Sequence, residues 1–502
     1  MSSKGKLIIY GSAMRVLEFL ANVLVGLFLM PFLIHSLGDK MYGLWIFVGS
    51  FLGYYGLMDF GLSSAIRRFV SKAIGEDDHD EIIRVVNTAL VIFSVTGVAA
   101  FVVSLGIALL IPTLISHIDK VATFRKLILI LGVNCAFGFP LRVFSGVLSA
   151  HLRYDVDAYV EILKLGARTA LIVYFLKSGA GIIALAMITT VMDLSAYGVK
   201  YITLRRLYPW LYFSPRLFER VKVRKLFGYS VYTFISQIAD QLRFNIDNLV
   251  IVTFVGLSPV TLYSIGARLI KYFIDLVGSA LGFTMPMFSQ YDGAGDYDAI
   301  REKFIFMTKV GGYLSFLIGG GLIIFGKAFI VRWVGLSYAD AYAVMVILLI
   351  PSILETLQAP GWGVLFGLSR HKYFVYMNIS EGIANLVISV ILVKKYGIYG
   401  VAWGTAIPMI LMKLFVQPIY TCKVIGLSLK RYYFKLMLPI VAISGMLLFT
   451  CWLFLWRHIV ADYLTISFLV SIVIFFYTAT VYLVGFDRNE KKYLLNGVGI
   501  RT

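Results

Sequence analysis

Hydrophobic runs of membrane-spanning length recur along the whole chain and are separated by short polar segments. A helix that crosses a bilayer needs about 20 mostly apolar residues, and this template fits the sequence about fourteen times. The predicted spans are 7–34, 42–66, 83–111, 126–148, 157–176, 180–203, 226–254, 259–285, 304–330, 341–366, 373–393, 398–421, 434–456 and 464–485. Strands of a closed membrane barrel would alternate apolar and polar residues, and these runs do not. The pattern therefore predicts an all-α, multi-pass membrane protein.

The chain also matches itself. The segment Leu37–Ile82 aligns without a gap on Val255–Ile300, 218 residues further on. A second block repeats at an offset of 217, where Arg153 returns as Arg370. Glycines and charged residues match in this alignment, and not only aliphatic residues. This favours a duplication over chance similarity between apolar helices. In a membrane protein, two homologous halves point to a transporter with its site between them.

The duplication predicts the domain organisation. Each half holds an even number of spans, so both enter the membrane from the same side and the repeats are parallel. We expect a six-helix lobe over 1–205, a basic linker over 206–225, a second six-helix lobe over 226–422, and two further helices with a short tail over 423–502. The prolines of the linker interrupt helices, and its aromatic and basic residues suit the membrane surface.

Composition and charge set the orientation and exclude several classes of function. The chain is 60% hydrophobic and only 15% charged, with a formal net charge of +19. By the positive-inside rule both termini should be cytoplasmic, because about three quarters of the lysines and arginines outside the spans fall in the N-terminus, the C-terminus and the loops on that side. The positive charge is then a topology signal and an attraction to anionic membrane lipids, and no nucleic-acid partner is expected.

Three stretches carry a family resemblance. They are LGDKMYGLWIFVGSFLGYYGLMDFGLSSAIRRFVSKAIGEDD, IDNLVIVTFVGLSPVTLYSIGARL and EGIANLVISVILVKKYGIYGVAWGTAI. Together they resemble the O-antigen type of oligosaccharide and polysaccharide flippase. That family shares a superfamily with the multidrug and toxin extruders and the peptidoglycan-precursor flippase.

The resemblance implies a fold and a function. The fold has two six-helix lobes facing each other in a V, plus two C-terminal helices. The substrate would be an undecaprenyl-pyrophosphate-linked oligosaccharide, moved across the cell inner (cytoplasmic) membrane by alternating access. Membrane lipids and the polysaccharide polymerase machinery are possible partners, and H+ or Na+ a possible coupling ion. No cofactor is implied.

Charged residues inside the spans mark the candidate site. A charge within a span usually faces the bundle interior or an aqueous cavity, and here the charges are spaced to share helical faces. The predicted substrate-binding residues are Arg15, Glu18 and Asn22 of span 1, Asp240, Arg243 and Asp247 of span 7, and Arg268, Lys271 and Asp275 of span 8. Span 5 adds Glu161, Lys164 and Arg168, and Asp193, Glu381 and Lys413 are single.

Two interpretations of these charged helix faces remain open. Arginines suit pyrophosphate because the guanidinium forms bidentate hydrogen bonds, while carboxylates and amides suit sugar hydroxyls. Alternatively, Arg15 with Glu18, and Arg243 with Asp247, neutralise each other at helical spacing.

Two rival functions are weighed against the flippase. A multidrug or toxin extruder of the same fold would commonly have twelve spans and bind organic cations, whereas this chain has more spans and places basic residues inside them. A membrane polymerase or glycosyltransferase would need catalytic acids and a sizeable external loop. The loops between the predicted spans are short, and nucleotide-binding, metalloprotease and hydrolase motifs are absent from the sequence. We therefore expect a transporter that is not an enzyme.

Overall fold

The computed structural model describes residues 3–114, 120–227, 234, 237–238, 241, 245–370, 372–455 and 462–497, with side chains from residue 14 onwards except at 114, 215 and 494–497. Every regular element in these ranges is a helix. The chain divides into two compact units, Met1–Thr261 and Leu262–Thr502. An all-helical multi-pass fold is what the hydrophobic pattern predicts.

The first unit contains the following helices among its described residues. They are α1 Ser3–Leu37, α2 Asp39–Gly56, α3 Leu62–Gly75, α4 His79–Leu114, α5 Val121–Ala150, α6 Tyr154–Lys177, α7 Ile182–Leu207 and α8 Ile246–Phe254. The next helix, α9 Leu257–Leu281, begins in the first unit and continues into the second.

The second unit holds the remaining helices. They are α10 Thr284–Gly293, α11 Tyr297–Val334, α12 Ala341–Leu357, α13 Ala359–Gly367, α14 Lys372–Leu411, α15 Gln417–Ile425, α16 Leu438–Leu455, α17 Tyr463–Thr480 and α18 Arg488–Gly497. Short π-helical turns join α14 to α15, precede α16 and follow α17.

Nine helical stretches in the described ranges are long and apolar enough to cross a membrane, or ten if the bent pair α12 and α13 forms one span. The longest, Lys372–Ile425, has 54 residues and contains both predicted spans 11 and 12. They meet at Gly397, where a φ of 56° breaks the helical backbone. Predicted spans 5 and 8 are present as α6 and α9, whose several charges lower their hydropathy. Thirteen of the 29 residues of predicted span 7 lie outside the described residues, among them 228–233 and 242–244.

The structure corrects one predicted span. Residues 42–66 were expected to form a continuous helix, but α2 ends at Gly56 and a 3₁₀ turn follows over Leu57–Asp59. Phe60 and Gly61 then adopt left-handed φ angles of 48° and 75° before α3 begins. Asp59 is the one charged residue in this otherwise apolar break, so the hydrophobic pattern alone does not show it. Glycine accepts a left-handed φ without strain, and this favours the break at Gly61.

Equivalent turns of the two repeats have the same local structure. The side chain of Asp78 accepts a hydrogen bond of 2.8 Å from the amide of Glu81 at the start of α4. At the offset of 218, Asp296 accepts one of 2.9 Å from the amide of Ala299 at the start of α11. Both aspartates satisfy amides that a helix N-terminus leaves free.

A second pair of turns agrees at the offset of 217. Leu152, before α6, has a φ of 60°, and Ser369, before α14, has a φ of 55°. The next residue in each turn, Arg153 or Arg370, donates its amide to the carbonyl five positions earlier, at 2.9 Å and 2.7 Å. A left-handed φ is uncommon for leucine and serine, so its recurrence supports a shared origin for these turns.

The predicted linker packs on the first unit. The side-chain amide of Asn87 on α4 donates to the carbonyl of Tyr212 at 3.0 Å, and the amide of Ser214 donates to Asn87 Oδ1 at 2.6 Å. Further along, Lys222 forms an ion pair of 2.5 Å with Glu81. These contacts fix the path of the linker across the start of α4.

The turn before α6 combines a neutral aromatic pair with a charged pair. The rings of His151 and Tyr208 are 4.0 Å apart, and a ring nitrogen of His151 lies 3.0 Å from the carbonyl of Val147. Burial lowers the pKa of the His151 imidazole and raises the pKa of the Tyr208 phenol. Both rings are therefore neutral near pH 7, next to the ion pair of Arg153 and Asp155.

The helices of predicted spans 13 and 14 pack on α11. The hydroxyls of Ser444 on α16 and Tyr477 on α17 are 2.7 Å apart, and the Tyr477 hydroxyl also donates to the carbonyl of Tyr313 at 3.0 Å. Apolar side chains of α11 and α17, among them Phe325 and Leu469, continue this contact. These two helices thus belong to the core of the second unit.

Candidate functional site

The polar face of α1 lies against the start of α6. The guanidinium carbon of Arg15 sits 3.9 Å from the centre of the Tyr154 ring, a cation–π contact. One turn further on, half-buried Glu18 interacts electrostatically with Glu161 and Asp157 of α6, with Lys200 of α7 and with Arg15 on its own helix. Asn22 donates its side-chain amide to the carbonyl of Glu18 at 2.9 Å.

A buried lysine lies at the centre of the charged residues of the first unit. Lys200 of α7 is only 3% exposed, and its ammonium group is 2.7 Å from Asp157 and 2.8 Å from Glu161, both on α6. It also donates to the hydroxyl of Ser145 on α5 at 3.2 Å. Three helices therefore meet at a single ammonium group.

A second ammonium group extends this arrangement along α6. Lys164 pairs with Glu161 on its own helix at 2.5 Å and with Asp193 on α7 at 3.1 Å. The side-chain amide of Asn134 on α5 donates to Asp193 at 3.0 Å. We call Asn134, Asp157, Glu161, Lys164, Asp193 and Lys200 the charged network.

Only part of this network is predicted from the sequence. The pattern predicts Glu161 and Lys164 on one helix face and Asp193 as a single charge, but it does not indicate Lys200 or Asp157. The spacing carried a usable signal, because Asp157, Glu161 and Lys164 stand at i, i+4 and i+7 and therefore share one helical face. The helix that packs against this face is determined by the tertiary structure, and the spacing along the sequence does not identify it.

The predicted site residues of span 7 are only partly described. Asp240 and Arg243 lie outside the described residues. Asp247, on α8, is buried and interacts electrostatically with Tyr54 of α2. The neighbouring Asn248 donates to the hydroxyl of Ser50 at 2.9 Å, so polar groups join α8 to α2.

The span 8 residues lie on α9 within the second unit. Lys271 and Asp275 form an ion pair at i and i+4, with distances of 2.9 and 3.1 Å, and the lysine side chain is 62% exposed. Arg268 lies next to Tyr272 on the same face and interacts with it electrostatically. For Lys271 this geometry favours neutralisation by Asp275 over binding of a ligand.

The second unit buries its own polar groups. Lys413 and Glu381 are 3.6 Å apart, and their side chains are 3% and 2% exposed. Asn385 lies one turn after Glu381 on α14. It accepts hydrogen bonds from the hydroxyls of Ser389, at 2.8 Å, and Thr405, at 3.2 Å. In the linear sequence Glu381 and Lys413 are single charges, but in the fold they form a pair.

This arrangement of residues can bind and orient ligands without covalent chemistry. Cations, carboxylates and amides are grouped on helices of membrane-spanning length, where each isolated charge would be costly. Within the described ranges no group of three histidine, cysteine or acidic side chains is placed to hold a metal ion. The fold and these polar faces define a multi-pass membrane protein with charged helix faces inside its units.

The comparisons with known proteins agree with this class. The chain belongs to the family described as "Polysaccharide biosynthesis protein", whose model matches residues 41–345, more than half of the chain. A curated relative from Shigella flexneri, named "Putative O-antigen transporter", is 24% identical over 433 residues, covering 82% of this chain and 98% of its own.

Two solved structures share the fold. The lipid II flippase MurJ, in an inward closed conformation, gives a TM-score of 0.72 at 16% identity and covers 93% of this chain and 99% of its own. An inward-facing multidrug resistance MATE family transporter of the MOP superfamily gives a TM-score of 0.67 at 14% identity, covering 84% and 98%. At these identities the likeness shows the fold alone. The family match and the fold together make this chain a membrane protein of the polysaccharide transporter type.

Proposed function

We propose that this chain is a flippase that moves an undecaprenyl-pyrophosphate-linked oligosaccharide across the cytoplasmic membrane for cell-surface polysaccharide synthesis. The observation that carries the proposal is the charged network inside the membrane helices of a chain from a polysaccharide biosynthesis family. A purely structural bundle would more cheaply fill these positions with apolar residues. The polysaccharide-related family favours a lipid-linked sugar over an organic-cation drug.

The proposed roles follow from the chemistry of the side chains. Arg15 offers a guanidinium whose face rests on Tyr154, which leaves its N–H groups free to bind a pyrophosphate bidentately. Glu18 and Asn22 would contact sugar hydroxyls. We propose the same roles for Asp240, Arg243, Asp247 and Arg268, and weaker ones for Lys271 and Asp275, which already bind each other.

The proposed mechanism is alternating access between lobes 1–205 and 226–422, without catalysis. The carboxylates Asp157, Glu161 and Asp193 are groups that a coupling H+ or Na+ could occupy. Downstream polymerisation of the product, by polymerase machinery on the far side, would also draw transport in one direction.

A genetic experiment tests the function. We expect a strain that lacks this chain to lose surface polysaccharide and to accumulate lipid-linked oligosaccharide on the cytoplasmic face, because the precursor is made but not moved. The measurement is protection of the accumulated precursor from an impermeant glycosidase in intact spheroplasts. Restored polysaccharide with the wild-type chain is the control. Unchanged polysaccharide together with altered drug resistance would support an extruder instead.

Cysteine labelling tests the topology. We expect an impermeant thiol reagent, added outside, to label a cysteine introduced beside Lys177 or Lys394 and to leave one beside Arg216 unlabelled, because the basic loops should face the cytoplasm. Permeabilised cells, in which all three positions should react, provide the control. The reverse pattern in intact cells would refute the orientation and the proposed direction of transport.

A further inference from the structure

A groove lies between the start of α14 and the end of α15 in the second unit. Its volume is about 900 Å³. One wall is the face of α14 that carries Tyr373, Tyr376 and Met377, and the other runs from Met412 to Lys423 and Val424. Arg370 stands at its mouth, and the Tyr420 hydroxyl donates to the carbonyl of Arg370 at 3.0 Å.

The groove is amphipathic along its length. Arg370 and Lys423 are exposed at one end, together with Tyr373 and Tyr420, whose tilted rings have centres 5.2 Å apart. Its floor is apolar, because Met412, Tyr420 and Val424 pack on the buried cluster of Leu365, Phe374 and Met377. The cationic end is the predicted cytoplasmic end, where basic residues meet anionic headgroups.

No carboxylate of the described residues neutralises the two cations of the groove. Among the residues that the structure describes, neither Arg370 nor Lys423 forms an ion pair. The equivalent turn of the first half differs, because Arg153 there makes two hydrogen bonds to Asp155, at 2.9 and 3.0 Å. The offset of 217 places Lys372 at the position of Asp155. Where the first half has a neutralised pair, the second half has an additional cation.

The length of the groove argues for a lipid of one leaflet. From Lys423 to Met412 the wall extends about 16 Å at the rise of a helix, and half the hydrocarbon core of a bilayer is about 15 Å. A diacyl lipid fills this length, whereas a polyprenol chain would extend well beyond it. Tyrosines at the cationic end suit the membrane interface, where one end of the ring is apolar and the other is wet.

We propose that this groove binds one anionic phospholipid, with its phosphate between Arg370 and Lys423 and one acyl chain along the apolar floor. This binding site is separate from the proposed substrate site and does not depend on the proposed function. The charges of the groove provide selectivity for an anionic headgroup, and the apolar floor provides affinity for the chain.

The test is lipid binding by the full-length, delipidated protein in detergent. Fluorescent phosphatidylglycerol should bind, phosphatidylcholine should bind at least about tenfold more weakly because it has no net charge, and inorganic phosphate should not compete. Lys372→Asp should weaken phosphatidylglycerol binding about 30-fold, because it removes one cation and gives Arg370 the carboxylate that Arg153 has. Lys395→Asp, the same change on the predicted outer side of the membrane, just before the break at Gly397, is the matched control and should leave binding unchanged.

Other outcomes would overturn the proposal. Equal binding of the two phospholipids would show a groove without charge selectivity, and unchanged binding by Lys372→Asp would place the lipid elsewhere. Polyprenyl phosphate displacing phosphatidylglycerol at lower concentration would refute the diacyl lipid as the occupant. Since Lys372→Asp could fold poorly, Lys423→Gln provides a second variant, expected to weaken binding about fivefold. Helix content by circular dichroism verifies folding in each case.

Discussion

Replacing Lys200 by methionine is expected to destabilise the protein by about 3–5 kcal/mol, the range for removing one partner of a buried ion pair. The substitution keeps most of the side-chain volume but removes the ammonium group that lies 2.7 Å from Asp157 and 2.8 Å from Glu161. Asp157 then loses its ion-pair partner, and Glu161 keeps only Lys164. The apparent melting temperature of the purified protein in detergent measures the loss.

The matched control is Lys177→Met at the exposed end of α6, which should change stability by about 0.5 kcal/mol or less. Adding Asp157→Asn to Lys200→Met should recover part of the loss, because one of the two carboxylates is then no longer charged. If Lys200→Met melted at the same temperature as Lys177→Met, water would be hydrating the carboxylates that had lost the ammonium group. The network would then line an open aqueous cavity and would not be sealed within the first unit.

The hydrophobic pattern predicted the helices well because lipid imposes a length on every span. Its failure over residues 42–66 has a local cause. The break at Phe60 and Gly61 falls within a mainly apolar run, where the sequence signals are Asp59 and one glycine among many. The predicted boundary between spans 11 and 12 agrees with the break in the helical backbone at Gly397. At both breaks the backbone conformation of one or two residues decides where a helix ends, and hydropathy does not report backbone conformation.

The duplication predicted more than the pattern of spans. It identified equivalent turns whose hydrogen bonds agree, as at Asp78 and Asp296, and it also identified where the halves diverge. Asp155 in one half and Lys372 in the other occupy equivalent turns, and this difference determines whether the neighbouring arginine is neutralised. A repeat therefore provides an internal reference, in which a departure from symmetry indicates a specialised position.

The candidate site was predicted less completely than the fold. Helical spacing shows which charges share a face, as for Arg15 and Glu18, but not which helix that face meets. Lys200 was overlooked because a single lysine near the end of an apolar run is more often a surface anchor. Its role depends on the packing of α5, α6 and α7 around it, and such contacts between distant segments cannot be read from the spacing along one helix.

Replacing Arg15 by alanine is expected to lower the transport rate about 10- to 100-fold, the range for losing a hydrogen bond to a charged group, without loss of folded protein. The guanidinium rests on the Tyr154 ring at 3.9 Å, and this contact restricts its orientation. Arg15→Lys should rescue only partly, because lysine keeps the charge but not the planar fork. The measurement is translocation of a lipid-linked oligosaccharide in liposomes that contain equal amounts of each folded variant.

A double substitution separates ligand binding from mutual neutralisation. If Arg15 serves only to balance Glu18, then Arg15→Gln combined with Glu18→Gln should transport almost normally, since no charge is left without its partner. If Arg15 binds the pyrophosphate, the double variant should fail as badly as Arg15→Gln alone. Tyr154→Leu adds an independent test, because it keeps both charges and removes the stacking surface. It should then weaken transport less than Arg15→Ala, since the guanidinium is retained but its orientation is no longer fixed. Normal transport by the double variant would assign Arg15 a structural role and remove it from the proposed site.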